Sequence, residues 1–230
     1  MAASLAKGIV LEVKQDLSND TAGFVIFWTP KEIIRLYAPG IYKPNSKNRF
    51  NLLIGSYCEI EFFRARLTKS MSKLMRANSL ININFEKIEQ IKLFKELTKI
   101  IKNLNESRIS LFNLYLEILQ KINQFEISKY PYILTYFLAQ YLPFIGLGTN
   151  YFNCSECNKN NQIVDFQFAK GGYLCINCAG NNRKILRHLK AYYHLALDLE
   201  SYINFVDQDV NNFIYEELKD LLKNNGFYLS

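Results

Sequence analysis

Cys154, Cys157, Cys175 and Cys178 are spaced C-x2-C-x17-C-x2-C in a chain with one further cysteine, Cys58. Each C-x-x-C lets one tight turn aim two sulfurs at one point. Two such turns complete the tetrahedral shell that Zn2+ accepts, with Zn–S near ~2.3 Å. All four positions are then filled, so the expectation is one structural Zn2+ that holds the fold together and does no chemistry. Two other readings of the same thiols compete with it, a redox C-x-x-C and a pair of disulfides. A thioredoxin-like dithiol takes a single C-x-x-C at the start of a helix, whereas here there are two. One of them lies in the polar loop Ser155-Glu156-Cys157-Asn158-Lys159-Asn160-Asn161. Gly171-Gly172 before Cys175 suits a hairpin arm entering the second knuckle. Lys159, Lys170, Arg183 and Lys184 flank the four thiols, either to offset the charge of a Zn(Cys)4 centre or as ordinary solvated cations.

No other constellation carries chemistry. His188 and His194 are six positions apart, too far round a helix to share a face as H-x-x-x-H does. There is no G-x-x-x-x-G-K-[ST] and no G-x-G-x-x-G, so the minimal phosphate cradles of nucleotide chemistry are missing, and the acidic residues are scattered along helical faces. The expectation is a protein that is not an enzyme.

Charge supplies the second functional signal. Residues 1–84 hold 12 Lys and Arg against 6 Asp and Glu, while residues 85–230 hold 16 against 15, so the net +7 is mostly an N-terminal property. Between Lys43 and Arg76 the cations Lys43, Lys47, Arg49, Arg64, Arg66, Lys69, Lys73 and Arg76 face only Glu59 and Glu61. That is the electrostatic footprint of a polyanion partner.

The elements that must carry this patch read as β structure. Ile9, Leu11 and Val13 alternate with Val10, Glu12 and Lys14, and Cys58, Ile60 and Phe62 alternate with Glu59, Glu61 and Phe63. Further strands are expected over residues 21–29, 33–37 and 73–83, with turns at 16–20, 29–32, 39–40 and 43–46. About five short strands in some eighty residues suggest a small closed barrel. The OB-fold is the barrel that most often couples a basic groove to aromatic stacking surfaces. Most of the aromatics must fill its core; Tyr42 and Phe50, set among Lys43, Lys47 and Arg49, are the surface candidates.

Beyond residue 84 the apolar period changes to three and four, with amphipathic helices running from Phe85 to Leu104 and from Leu111 to Ile122, the second placed for capping by Ser107. Another follows over Ile185 to Ala196, and a last over Val210 to Leu222 with Gly226 as a stop. From Tyr130 to Asn153 no residue is charged, but Pro131, Thr135, Gln140 and Pro143 interrupt the run; it reads as a buried helix ending near Leu142, not a membrane span. The charged N-terminus gives no sign of a signal peptide, and four thiols free for metal suit a reducing cytoplasm. The expected class is therefore α+β. An N-terminal OB-fold barrel (1–84) binds nucleic acid and precedes an α-helical domain (85–230) that carries a four-cysteine zinc finger at 154–178.

In its order of parts the chain resembles the RecO family of bacterial recombination mediators. The resemblance rests on Gly8-Ile-Val-Leu, on Thr29-Pro-Lys-Glu32, and on the run from Ala38-Pro-Gly40-Ile-Tyr-Lys43 through Ser46-Lys47-Asn-Arg49. Late in the chain it rests on Cys154-x-x-Cys157 and Gly171-Gly172-Tyr-Leu-Cys175-Ile-Asn-Cys178. After the Thr-Pro motif, where the family pattern has a glycine, this chain has Ile33-Ile34. The resemblance implies a cytoplasmic, nucleoid-associated mediator of DNA repair and homologous recombination. Such a protein binds single- and double-stranded DNA, anneals complementary strands and, with RecR, loads RecA onto DNA covered by single-strand-binding protein. On that reading Lys43, Lys47, Arg49, Arg64, Arg66, Lys69, Lys73 and Tyr42 are the DNA-binding candidates. A basic zinc-ribbon RNA-binding or translation factor would share the barrel and the metal, and a thiol oxidoreductase would share the C-x-x-C pairs.

Overall fold

The computed structural model describes residues 3–66 and 70–228, and the chain divides into two compact units, Met1–Gln124 and Phe125–Ser230. The first unit is built on five strands: β1 (Ala3–Asp16), β2 (Asn19–Trp28), β3 (Ile33–Ala38), β4 (Tyr57–Phe63) and β5 (Ser72–Ile81). They close into a barrel in the order β1-β2-β3-β5-β4. β1 is the longest because it is shared. Its first half pairs with β4, from Ala3 opposite Phe63 to Ile9 opposite Tyr57, and its second half pairs with β2. A bulge between Val10 and Glu12 separates the halves, the irregularity that lets one strand turn a corner. The seam between β3 and β5 is parallel and short, with Leu36 opposite Ser72 and Tyr37 opposite Lys73.

In β4 the expected alternation holds, with Cys58, Ile60 and Phe62 inside among Val10, Val25, Phe27, Leu36 and Leu74. In β1 it fails, because Ile9, Val10 and Leu11 are all buried. The outer face of that strand is covered by α2 (Ile88–Lys102), which packs on β1 and is accompanied by α3 (Ile109–Lys121). Trp28 faces outward from the barrel and is wholly buried, its ring edge-on to Phe112 at 4.9 Å and to Tyr115 at 5.9 Å. The buried Tyr115 hydroxyl donates to the Gly55 carbonyl at 2.9 Å. Ser107 does not cap α3. Its hydroxyl accepts from Trp28 Nε1 at 2.9 Å and donates to the Thr29 carbonyl, while the cap position falls to Arg108 without a side-chain cap. A buried indole N–H needs an acceptor more than a solvent-exposed helix end needs a cap.

The second unit contains α4 (Tyr130–Tyr141), the hairpin β6 (Ile163–Gln167) and β7 (Gly172–Cys175), then α5 (Leu186–Leu197), α6 (Leu199–Phe205) and α7 (Gln208–Asn224). α4 is buried on nearly every side and yields at Leu142 to a short 3-10 turn containing Pro143, closed by Gly146 in the left-handed region. Among the described residues no helix is long and apolar enough to cross a membrane. α4 packs on α6 and α7, and α5 packs on β6, α6 and α7. Phe166 of β6 stacks on Tyr192 of α5 at 3.8 Å, with Phe168 and Tyr173 edge-on around it. Lys184 reaches Glu217 of α7 at 2.7 Å, and the same carboxylate accepts from the Tyr192 hydroxyl, which ties the hairpin's exit to the last helix.

Candidate metal centre and nucleic-acid interface

The two knuckles are built alike. In the first, the Asn158 N–H donates to the Cys154 carbonyl at 2.8 Å; in the second, the Ala179 N–H donates to the Cys175 carbonyl at 2.9 Å. Each turn is released by a residue with positive φ, Asn158 at 60° and Gly180 at 60°, a conformation that suits asparagine and glycine. The hairpin delivers the second pair. Gly172, at φ 133°, lies so close to Asn150 that a Cβ there would fall 2.1 Å from its carbonyl oxygen, so only glycine fits where the chain meets the start of the first knuckle. Asn150 is held in turn by Gly171 and Tyr173 through backbone hydrogen bonds of 2.7 and 3.2 Å.

The result brings the four cysteine sulfurs within 4.8 Å of one another, with Cys154 and Cys175 buried, Cys178 partly so and Cys157 exposed. Cys157 and Cys175 Sγ are 3.7 Å apart. Burial works against charge on Cys154, but the backbone N–H groups of Cys175, Cys157 and Glu156 outweigh it and lower that thiol to about 6. Cys175 is lowered in the same way against its own burial, by the N–H groups of Cys178 and Asn177. Cys178 is pushed up to about 12, first by its hydrogen bond to Cys175. Four sulfurs this close share a limited negative charge unless a cation joins them, and a soft all-thiolate tetrahedron is the donor set of Zn2+. Neither histidine belongs to the cluster. His188 rests against Phe213, and His194 is hydrogen-bonded to Ser201 and stacked on Phe205. Of the flanking cations, Lys184 is held by Glu217, and Arg183 donates to the Gly180 and Asn182 carbonyls.

The described basic candidates belong to the barrel unit, where a short helix, α1 (Lys47–Asn51), presents two of them. The turn expected at 43–46 runs directly into this helix, for which the sequence carries no expectation. The helix is fixed by side chains: Asn48 Nδ2 donates to the Met75 carbonyl at 3.1 Å, and its Oδ1 accepts from the Ala77 N–H at 2.9 Å. Asn51 Nδ2 donates to the Ala77 carbonyl at 3.0 Å. These amides take the place of a neighbouring strand along the open part of the β5 edge, beyond the two pairs it makes with β3. Lys47 and Arg76 thereby line one polar groove of about 620 Å3 with Ser46, Asn48, Asn51 and Asn78.

Lys43, Lys47, Arg49, Arg66 and Lys73 are exposed, and Lys69 lies outside the described residues. Arg64 is engaged by both Glu32 carboxylate oxygens, at 2.6 and 3.1 Å, and its hydrogen bonding is the main cause holding that carboxyl below its ordinary value. Tyr42 is half-buried against the barrel core, with the Arg49 guanidinium over its ring at 5.6 Å. Phe50 is 69% exposed. Arg76 was part of the basic footprint in the sequence, but its pairing with Lys47 depends on the α1–β5 contact and has no local signal.

Comparison with known proteins bears on both halves. The chain is similar to proteins named DNA repair protein RecO from three bacteria. It is 27% identical to that of Desulforamulus reducens, over 66% of this chain and 60% of the relative. It is 26% identical to that of Mesoplasma florum over 77% and 68%, and 28% identical to that of Mycoplasma capricolum over 83% and 77%. The chain thus matches about 60% of the length of the Desulforamulus reducens relative. Residues 94–224 match the family described as Recombination protein O C terminal, a span that begins inside α2, takes in the four cysteines and ends with α7. That span is more than half of the chain, and the chain belongs to the RecO family.

Proposed function

We propose that this chain is a non-enzymatic mediator of DNA repair and recombination. On this reading it binds single- and double-stranded DNA through the basic face of its barrel, anneals complementary strands and, with RecR, loads RecA onto DNA covered by single-strand-binding protein. Family membership supports the role, and the observation that carries the mechanism is the α1–β5 arrangement, which holds Lys47 and Arg76 along one groove with Lys43, Arg49 and Lys73 exposed on the same barrel. The strand order, closing through a short parallel β3–β5 seam, is what an OB-fold requires, and that fold presents its strands and loops to oligonucleotides. Phosphate contacts carry little sequence information, so binding is sequence-tolerant, as annealing demands. The four cysteines hold one structural Zn2+, which supplies cohesion to the second unit and no chemistry. The setting that follows is the cytoplasm, at the nucleoid.

Direct competition tests this reading. Single-stranded DNA is expected to outcompete structured RNA, with affinity falling at a log-log salt slope of about −3 if about 4 to 5 phosphates are neutralised. A flat salt response, or a preference for structured RNA, would move the protein to the zinc-ribbon RNA-binding class.

A further inference from the structure

The barrel unit holds an apolar cavity of about 430 Å3 whose walls include Leu52, Ile54, Ile83 and Phe85. It opens to solvent, since Ile54 is 43% and Phe85 45% exposed. Among the described residues its charged lining consists of two cations and no carboxylate: Arg49 from α1 and Lys95 from α2. Both are exposed, and no carboxylate pairs with either among the described residues. An apolar hollow with unpaired cations at its edge calls for an apolar knob flanked by negative charge.

The β1–β2 hairpin presents such a knob. Its tip is Leu17-Ser18, set between the paired Asp16 and Asn19. The turn is held without Leu17: the Asp16 carboxylate accepts from the Ser18 N–H at 2.9 Å and from its hydroxyl at 2.7 Å. Asn19 Oδ1 accepts from the Thr21 N–H at 3.1 Å and from its hydroxyl at 2.9 Å. Polar side chains that hydrogen-bond to the nearby backbone are what a turn needs, and leucine supplies nothing of the kind. Leu17 is 101% exposed, and Asp16 and Asp20 stand on either side of it. One exposed leucine needs no explanation by itself; a leucine between two carboxylates, beside an apolar cavity edged by two cations, does.

We propose that the hairpin tip of one copy of this chain seats Leu17 in this cavity on a second copy, with Asp16 and Asp20 against Arg49 and Lys95. Knob and cavity lie at the same end of the barrel. Val13, three residues before Asp16 on β1, is part of the cavity wall. Tyr42, another wall residue, donates its N–H at 3.0 Å to the carbonyl of Thr21 on the hairpin's other arm. Because the two surfaces are neighbours, each copy gives a hairpin and receives one, the isologous arrangement that closes as a two-fold dimer. Two such contacts make a small interface, so the dimer is weak and depends on concentration. The contact stands apart from the DNA-binding reading and needs no nucleic acid.

The test is sedimentation velocity of the full chain, free of nucleic acid, over about 10 μM to 1 mM, where a monomer–dimer equilibrium is expected. Leu17→Asp changes a side chain outside the core and is expected to keep the melting temperature. It should weaken the dimer about a hundredfold, from roughly tenfold for each of two leucines withdrawn from an apolar cavity. Lys95→Glu is expected to weaken the dimer about threefold, the range of an exposed ion pair, and Asp20→Lys added to the same chain is expected to restore it. A chain that stays monomeric to the highest concentration would overturn the proposal and leave the cavity to a different protein or a small ligand. A dimer indifferent to Leu17→Asp would overturn it equally, by placing the contact elsewhere on the surface.

Discussion

Cys58 and the four knuckle cysteines are opposite kinds of thiol. Cys58 is sealed in the barrel core, burial pushes it up to about 12, and its S–H donates to the Asn51 carbonyl at 2.9 Å. A thiol so far from ionising does not react at neutral pH. With a thiol-specific chromogenic reagent, chelation of the metal is expected to expose four reactive thiols in the native protein, the fifth appearing only in denaturant; four fast thiols before chelation would favour the oxidoreductase reading instead. Arg64 carries a second residue-scale prediction. Because the Arg64 hydrogen bond, with burial opposing, keeps the folded Glu32 carboxyl below its ordinary 4.5, the pair's stabilisation is fully present above that value and is lost as pH falls through the lower folded value. Arg64→Ala is therefore expected to lower the melting temperature slightly at neutral pH, with the gap to the parent closing toward pH 3; a gap that persists there would contradict the pairing. The knuckle cysteines were legible in the sequence because their partners are local or repeat one turn. Ser107 and Arg64 were not, since Trp28 and Glu32 are 79 and 32 residues away from them.

Element lengths follow from partners more than from local pattern. β1 reads as six residues by alternation, Ile9 to Lys14, but runs from Ala3 to Asp16, because β4 supplies a second pairing surface for its first half. α6 escaped notice because α5 and α6 abut at Asp198, whose carboxylate caps the new helix by accepting from the Ser201 N–H at 2.8 Å. α1 was hidden in turn-like composition, and only the β5 edge makes a helix of it. Asn48→Ala removes two hydrogen bonds to that edge and should cost about 1–3 kcal/mol, since it leaves the Ala77 N–H without its partner. The account expects a lower melting temperature together with weaker single-strand binding, as Lys47 and Arg49 lose their platform. Lower stability with unchanged binding would detach α1 from the interface.

At the scale of the molecule, the α+β order, the barrel strands and the main helices were visible in the change of apolar period near residue 84, whereas the burial of Trp28 against α3 was not, because an outward-facing strand residue carries no mark of what will cover it. The thiol cluster is joined to the second unit through the Phe166–Tyr192 stack and the Lys184–Glu217 pair. Cys175→Ser is accordingly expected to lose the metal and melt that unit while the barrel retains part of its DNA binding; a soluble, zinc-free variant with an unchanged melting curve would refute a structural metal. The central claim is mediation, and it is tested most directly by annealing. Two labelled complementary DNA strands, each precoated with the cognate single-strand-binding protein, are mixed with and without this chain, and energy transfer is followed in the absence of nucleotide. The account predicts rapid, nucleotide-independent annealing that slows as salt rises; binding to the coated strands with no gain in annealing rate would contradict it.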